Sequence, residues 1–374
     1  MAESVQPVIP SSDSSTSWTI VILKLIALMG LVYLFILSIV LLGGTFKLFG
    51  KGFAEAMFHA TSNPIVGLMI GVLATAIIQS SSTTTSIVVG LVASGVLSVE
   101  SSIPMVMGAN IGTSVTNTIV AMGSISRRDE FRRAFCGSML HDFFNVCSVV
   151  VLLPLQISFN LIGRSAEVIE GIFAGFGGMT FASPLGAVTK PVAMAIIHMT
   201  SDSAWLSAAI AFVLLFVGLR YIVKLLKSMV LSRVEHFFQQ YIFRTPILSF
   251  VLGAVVTAMV QSSSITTSII VPLIGAGVLR VDQIYPYLLG ANVGTTITAF
   301  LASFATGSHH AISVAFAHLV FNIYGIAIFW PLKCIPIWLA RKMAELTQKS
   351  KLIPILYIVV VFFILPGVIL LIAD

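Results

Sequence analysis

The sequence predicts an all-α polytopic membrane protein made of two inverted-topology repeats, each containing a re-entrant helical hairpin. Three observations lead to this prediction: a very apolar composition, a long internal repeat, and a basic loop closing the first repeated unit where the loop closing the second has no Lys or Arg. Of the 374 residues, 57% are hydrophobic and 9% are charged, whereas about a quarter of a soluble domain is charged. At roughly 20 residues per spanning helix, the chain has room for about eight to ten membrane segments and for no separate soluble catalytic domain.

The N-terminal residues 1–19 are polar, rich in serine and free of Lys and Arg. A cleaved signal peptide begins with basic residues, so we expect a disordered tail followed by an uncleaved first helix over Thr19 to Leu42. The net charge of +6 is interpreted as loop topology rather than nucleic-acid binding, because an excess of Lys and Arg marks cytoplasmic loops. The cysteines lie in apolar runs without metal-ligand spacing, so neither a disulfide framework nor a metal site is predicted.

A repeat divides the chain into two related halves. Residues 64–116 align without gaps on residues 246–298, including Gln-Ser-Ser-Ser at 79–82 and 261–264 and Gly-Ala-Asn at 108–110 and 290–292. After a five-residue deletion the pairing resumes, with His141 on His318 and Asn145 on Asn322. The predicted organisation is a first transmembrane half over 20–155 with repeat unit 64–145, a connector over 156–190, a second half over 191–332 with repeat unit 246–322, and a C-terminal amphipathic segment with a last helix over 333–374.

The charge of the closing loops predicts opposite orientation of the two units. The first loop contains Arg127, Arg128, Arg132 and Arg133, whereas its counterpart at 305–310 has no Lys or Arg. By the positive-inside rule the first loop is cytoplasmic and the second is not. Basic residues also precede the second unit more densely than the first, namely Arg220, Lys224, Lys227, Arg233 and Arg244. Inverted repeats are typical of transporters more than of enzymes.

Each repeated unit also predicts a helical hairpin. The apolar runs Pro64 to Ile78 and Pro246 to Val260 are too short to cross the bilayer, and a cluster of hydroxyl residues follows each run at once. Non-helical backbone at membrane depth is tolerated only where protein or a water-filled cavity surrounds it. A re-entrant hairpin with the polar tetrapeptide at its tip satisfies this condition, and broken helices of this kind indicate a binding site near the midplane.

The two tetrapeptides have the chemistry of an oxyanion site. They offer hydroxyl, amide and backbone N–H donors without fixed charge, and two helix N-termini that converge bind an anion without any Arg. The same oxygens are hard ligands for a small cation. The alternative is that the hydroxyls only bond across helix contacts, as Ser and Thr commonly do in membranes, but two copies in inverted halves favour a binding site. The predicted anion contacts are Gln79, Ser80, Ser81, Ser82, Gln261, Ser262, Ser263 and Ser264.

These residues resemble the type II sodium-phosphate cotransporter family. The resemblance covers most of residues 20–330 and rests on the motif at 79–86, Gly-Ala-Asn-Ile-Gly-Thr-Ser-Val-Thr-Asn-Thr at 108–118, His-Asp-Phe-Phe-Asn at 141–145, and the second-half copies. It implies sodium-driven uptake of inorganic phosphate by alternating access, with the two hairpins framing the substrate site. Sodium would be a co-transported ligand, and no cofactor is expected.

The resemblance also implies the positions of sodium. It places Ser82 and Thr118 near one sodium, with a contribution from Ser264, and Asp142 and Asn145 at a further one. In the family, an Asp at the position of Asp142 accompanies electrogenic transport. Animal relatives carry Gln and Asp near Ser124 and Arg127, so that part of the sodium site departs from the family pattern. The long glycosylated loop between the halves is absent, which indicates a bacterial member and a bacterial inner membrane.

The remaining candidates follow from the residues themselves. Asn110 and Asn292 offer side-chain carbonyls to sodium or cap a helix; Thr113, Thr295 and Asn322 complete the predicted sodium set. Asp142 lies in an apolar stretch, which makes it a functional candidate by default; the alternative is a structural ion pair with a neighbouring Arg. His141 and His318 are candidate proton relays or hydrogen-bonded packing residues.

Two other functions use the same residues. An intramembrane hydrolase with Ser80, Ser81 or Ser82 as nucleophile and His141 or His318 as base is disfavoured, because the chain has no Gly-X-Ser-X-Gly elbow and no His-Glu-X-X-His pair. A passive anion channel, or a sodium-coupled transporter of another oxyanion, remains an alternative. The predicted partners are phosphate, sodium and the lipid bilayer of the plasma membrane, with no nucleic acid.

Overall fold

The computed structural model describes residues 18–175, 178–241 and 245–373 of the chain, and the regular structure in these ranges is entirely helical. The predicted N-terminal tail lies almost wholly outside them. Helix α1 begins at Trp18, one residue before the predicted start, and continues to Leu48 because the run contains no proline or internal polar break. The helices of the first half and the following segment are α1 Trp18–Leu48, α2 Gly50–Thr61, α3 Pro64–Ile78, α4 Ser81–Ala93, α5 Val99–Gly112, α6 Ser114–Met122, α7 Arg128–Phe159, α8 Leu161–Gly175 and α9 Gly178–Met199.

The second half repeats the order of short and long helices around its motif. It consists of α10 Ala204–Tyr241, α11 Pro246–Val260, α12 Ser263–Gly275, α13 Val281–Thr306 and α14 His309–Phe329. The C-terminal part contains α15 Cys334–Leu346, α16 Leu352–Val359, a π-helical turn Val360–Ile364 and α17 Leu365–Ala373. The segment predicted as a short connector, 156–190, is largely helical, since it holds the end of α7, all of α8 and the first part of α9.

Within the described ranges, six helices are long and apolar enough to cross a membrane, or seven if the bent pair α2 and α3 counts as one span. The protein is therefore a multi-pass membrane protein. The helices on either side of each motif are not among these spans, because they have only 15 and 13 residues. At 1.5 Å per residue, 15 residues reach about 22 Å and fall short of a bilayer core of about 30 Å.

Glycines bring the motif-bearing helices against the next long helix. A Cβ atom on Gly108 of α5 would lie 2.0 Å from the Leu68 carbonyl oxygen of α3, and one on Gly290 of α13 would lie 1.9 Å from the Phe250 oxygen of α11. Such distances are far below van der Waals contact, so only glycine permits these crossings, as in other closely packed membrane helices. Both halves thus hold their motif helix by the same contact.

The second arm of each hairpin packs against the other half. Helix α4 lies against α13 and α14, whereas α12 lies against α6 and α7. The two halves are therefore interlocked through their hairpins, which places both motifs in the interface between the halves. Their opposite orientation in the membrane remains a prediction.

Candidate functional site

Each Gln-Ser-Ser-Ser motif begins with a left-handed residue that ends one helix. Gln79 has φ 59° and ψ 27°, and Ser80 is extended, so α3 stops at Ile78 and α4 starts at Ser81. Gln261 has nearly the same angles, φ 58° and ψ 25°, before an extended Ser262. A left-handed conformation is uncommon for a residue other than glycine. Its presence at both copies identifies the turn as a repeated structural feature.

The chain reverses direction at both turns. The Thr75 hydroxyl donates to the Thr84 oxygen at 3.0 Å, and Thr257 and Thr266 form the equivalent bond at 2.8 Å. Nine residues of one straight helix span about 13 Å, so these contacts require the two arms to fold back on each other. The predicted helical hairpins are therefore present in both halves; their depth in the bilayer remains a prediction.

The glutamine side chains are held by threonines that the sequence analysis did not select. Thr116 donates to Gln79 Oε1 at 3.0 Å, and Thr298 donates to Gln261 Oε1 at 2.8 Å. Through these bonds, the side chain of each glutamine links its turn to a later helix of the same half, which is α6 for Gln79 and α13 for Gln261. The only sequence signal for the two threonines was their equivalence at the end of the aligned repeat.

The serine hydroxyl at the start of each second arm caps that helix. Ser80 accepts a bond from the Thr83 N–H at 3.2 Å, and Ser262 accepts one from the Ile265 N–H at 3.4 Å. These are N-caps, which satisfy one of the donors that a helix N-terminus leaves unpaired. The first N–H groups of α4 and α12, and the positive ends of their dipoles, remain at the motif.

One cavity of about 600 Å³ contacts both motif copies. Small-molecule sites commonly have volumes of this order. The Ser82 hydroxyl donates to the Gln261 carbonyl oxygen at 3.4 Å, which joins the copies directly. Ser81 and Ser263 are buried in the first turns of their helices and do not line the cavity. The predicted anion residues that do line it are Gln79, Ser80, Ser82, Gln261, Ser262 and Ser264.

A third wall of the cavity comes from α10 and includes Arg220 and Lys224. By charge alone these two residues indicate loop topology, whereas in the structure they lie inside the apolar span Ala204–Leu226. Among the residues that the structure describes, the cavity lining contains no acidic residue. The sequence pattern of α10 did not predict that these two residues line the cavity, because their position there depends on which helix packs beside the hairpins.

A buried network joins the halves through equivalent His–Asn pairs. His141 Nε2 lies 2.7 Å from Asn292 Oδ1, and His318 Nε2 lies 3.2 Å from Asn110 Oδ1. Asn292 also donates to Asn145 Oδ1 at 2.8 Å. Both histidines are hydrogen-bonded inside the protein, and whether they also relay protons stays a prediction. The helix-capping alternative for the two asparagines is wrong, because each lies inside a helix.

Asp142 is fully buried next to this network. The Tyr357 hydroxyl of α16 donates to its Oδ2 atom, and its Oδ1 atom has no hydrogen-bond partner among the described residues. The alternative of an ion pair with a neighbouring Arg is wrong, because the ion pairs found in the described ranges do not include Asp142. An unpaired buried carboxylate oxygen is costly unless a cation or proton joins it.

The other predicted sodium residues are buried but do not line the cavity, apart from Ser82 and Ser264. Hydroxyls of Thr113, Thr118 and Thr295 donate to carbonyl oxygens four residues earlier at 2.9 to 3.0 Å, so their own lone pairs remain available. Asn322 donates to the His318 carbonyl, and its Oδ1 atom is unpartnered in the described part of the chain.

Asn117, which sequence reasoning missed, accepts bonds from two hydroxyls of α12. Thr267 donates to its Oδ1 atom at 2.8 Å and Ser268 at 3.1 Å. It thereby fixes the second hairpin to α6. The repeat gave no signal for it, because its counterpart in the second half is Ala299.

Comparisons with known proteins place this architecture in a family. The family model described as Na+/Pi-cotransporter matches residues 34–183 and 214–332. The chain is 34% identical to sodium-dependent phosphate transport protein 2A of Rattus norvegicus over 428 residues, covering 93% of this chain and 67% of the relative. It is 32% identical to sodium-dependent phosphate transport protein 2B of Homo sapiens over 442 residues, covering 92% of this chain and 64% of the relative.

No solved structure matches the chain. The family match nevertheless includes both motif turns, both His–Asn pairs and Asp142, which are the features that build the site. Since these features and the sequence identity extend through both halves, the chain belongs to the Na+/Pi-cotransporter family and is a transporter rather than an enzyme.

Proposed function

We propose that the protein couples the uptake of inorganic phosphate to sodium by alternating access. The observation that supports this most directly is the cavity lined by both Gln-Ser-Ser-Ser copies, with two helix N-termini and no acidic side chain among its described residues. An oxyanion is stabilised there by hydroxyl donors, unpaired backbone N–H groups and helix dipoles. The family and the names of its animal relatives agree with phosphate as that oxyanion and with sodium as the coupled ion.

In the proposed site, Ser80, Ser82, Ser262 and Ser264 contact phosphate through their hydroxyls. The glutamines form its outer edge, where they hold the two turns in shape through their bonded threonines. Ser81 and Ser263, whose side chains are buried away from the cavity, contribute backbone N–H groups at the starts of α4 and α12. The site therefore consists of both halves in equal measure, as an inverted repeat requires.

We propose that sodium binds beside this site, among buried oxygens contributed by both halves. Asp142 supplies an unpartnered Oδ1 atom, and Asn145 lies one helical turn away on the same helix face. The buried oxygens of Asn110, Thr113, Thr118, Asn292, Thr295 and Asn322 form the surroundings from which further ligands come. Hard cations prefer such oxygen ligands.

The proposed transport cycle uses the interlocked hairpins. Because α4 packs on the second half and α12 on the first, a displacement of one half against the other changes access to both motifs together. This is the motion expected of inverted repeats around a fixed midplane site. We place the protein in the plasma membrane, as an inner-membrane protein of a bacterium.

The test is uptake of labelled phosphate into vesicles that contain the purified protein. We expect accumulation under an inward sodium gradient and none when potassium replaces sodium. A variant with Ser82→Ala and Ser264→Ala should lose uptake while retaining the elution profile of the folded protein. Equal uptake in potassium would end the cotransport proposal and indicate a passive channel. Uptake of labelled sulfate in place of phosphate would indicate another oxyanion.

A second experiment tests electrogenic transport. Asp142→Gly should make sodium-driven uptake insensitive to a potassium-diffusion potential, because the buried carboxylate that balances a sodium charge is gone. Asp129→Asn is the matched control, since Asp129 is an exposed acidic residue of the same helix. Unchanged voltage dependence in the Asp142 variant would refute this role.

A further inference from the structure

The wall of the cavity that α10 forms carries two positively charged residues. Arg220 and Lys224 both line the cavity and both are exposed. They lie four residues apart on α10, so they project from the same face, about one turn from each other. They are also the only charged residues between Ala204 and Leu226, a span that is otherwise apolar.

Two cations inside an apolar span require a compensating interaction. A charged side chain in a membrane helix is costly and usually marks a path for an ion or substrate. Neither Arg220 nor Lys224 forms an ion pair with a carboxylate among the side chains that the structure describes. The neighbouring cavity residues of α10, such as Phe216 and Val223, are apolar and offer no counter-charge.

The motif residues of the cavity complement the two cations, because they provide neutral hydrogen-bond donors. They contain hydroxyls and amides but no ionic group, so they can orient an oxyanion without supplying full charge. A guanidinium binds a phosphate group through two parallel hydrogen bonds, and an ammonium acts as a point charge on it. Positive charge at the wall of a low-dielectric cleft also raises the local concentration of anions.

We propose that Arg220 and Lys224 bind the phosphate group of the anion at the wall of this cavity and determine its affinity. This inference rests on the proposed function, because it assigns two residues to the same anion. The anion would first contact the two cations and then the serine hydroxyls of both motifs. The cations thus contribute the charge that the motifs lack.

The phosphate of a lipid headgroup has the same chemistry, since long basic side chains near helix ends commonly reach the membrane interface. Binding of free phosphate and binding of a lipid headgroup predict different experimental results. Free phosphate bound in the cavity requires sodium and competes with no lipid, whereas a headgroup contact depends on anionic phospholipid.

The experiment measures binding of labelled inorganic phosphate to the purified protein in a nonionic detergent with sodium. We expect Arg220→Gln combined with Lys224→Gln to weaken binding at least about tenfold at low ionic strength. The difference should shrink at about 1 M salt, where charges are screened within about 3 Å. Arg220→Lys should weaken binding less than Arg220→Gln, because it keeps the charge but loses the paired hydrogen bonds of the guanidinium.

Arg164→Gln and Lys190→Gln are matched controls, because both residues are exposed and neither lines the cavity. They should leave phosphate binding unchanged. An unchanged dissociation constant in the double variant, while the unaltered protein binds phosphate, would overturn the role of the cations and leave the proposed function standing. No phosphate binding by the unaltered protein would refute both.

A lipid arm separates the two sources of phosphate. The same variants are reconstituted in nanodiscs with and without phosphatidylglycerol, and both bound lipid and bound phosphate are measured. If the double variant binds less phosphatidylglycerol but binds phosphate as tightly as the unaltered protein, the cations interact with the bilayer and the proposal is overturned. Loss of phosphate affinity in both kinds of nanodisc would support it.

Discussion

The crossing of α3 and α5 leaves no room for a side chain at Gly108. A Cβ atom there would lie 2.0 Å from the Leu68 carbonyl oxygen and 2.9 Å from the Val72 nitrogen. The reciprocal position, Gly71, is equally tight, since its Cβ atom would lie 2.0 Å from the Met105 oxygen. Gly108→Ala therefore forces the two helices apart by more than about 1 Å, if carbon and oxygen are to regain ordinary contact near 3.5 Å.

The cost of this change is large because the atoms in the way belong to the backbone. Overpacking a well-packed core costs typically about 1 to 3 kcal/mol when side chains can adjust. Leu68 and Val72 offer backbone atoms that cannot rotate away, so we expect about 3 kcal/mol for Gly108→Ala. Helix α3 ends at Ile78, directly before Gln79, so its displacement also moves the first motif relative to the second.

The assay is the apparent melting temperature of the purified variant in detergent, followed by phosphate uptake after reconstitution. Gly30→Ala is the control, because nothing lies within 4 Å of a Cβ atom at this position of α1. An alanine with free space in a helix stabilises it by roughly 0.5 to 1 kcal/mol relative to glycine. The two substitutions should thus shift the melting temperature in opposite directions. A Gly108→Ala protein that melts at or above the unaltered protein, with normal uptake, would refute the reasoning.

Two further predictions concern hydrogen bonds of the site. Tyr357→Phe removes the hydroxyl that donates to Asp142. Because hydrogen bonds to charged groups contribute about 1.5 to 3 kcal/mol, we expect the apparent sodium affinity to fall about tenfold. The KM for phosphate should be unchanged at saturating sodium. Tyr324→Phe, which removes a tyrosine hydroxyl bonded elsewhere, should leave sodium affinity intact, and equal behaviour of the two variants would contradict the role of Tyr357. Thr298→Val leaves the buried Gln261 Oε1 atom without its Thr298 donor, at about 1 to 3 kcal/mol, so the melting temperature of this variant should fall. Thr298→Ser should not lower it, and equal melting of both variants would count against the threonine anchor.

Local features of the site were predictable because they depend on neighbouring residues. The short apolar run before each motif and the serines that follow it predicted where α3 and α11 end and that the chain turns back there. The repeat predicted that both turns share one geometry, and Gln79 and Gln261 indeed have almost identical backbone angles. The resemblance to sodium-phosphate cotransporters, carried by the same motifs, is confirmed by the family match.

Partners that are distant in sequence were not predictable. Arg220 and Lys224 were assigned to loop topology, because a charge count does not say which helix packs beside a hairpin. Tyr357 is 215 residues from Asp142, and its helix lies outside the repeat, so no symmetry pointed to it. Asn117 likewise lacks a repeat counterpart.

By itself, the sequence determined that the protein is a helical membrane protein with a duplicated polar turn, because hydropathy, helix caps and turn residues act over a few neighbours. Only the tertiary structure decided that the two turns share one cavity, that His141 and His318 each bond to the asparagine of the other half, and that two cations of α10 line the same cavity as the motifs. These relations depend on which helix faces meet. Close packing at small residues such as Gly108 and Gly290 determines which helix faces meet, even between helices that are distant in sequence. The hydrophobic periodicity of one helix does not show which other helix packs against it.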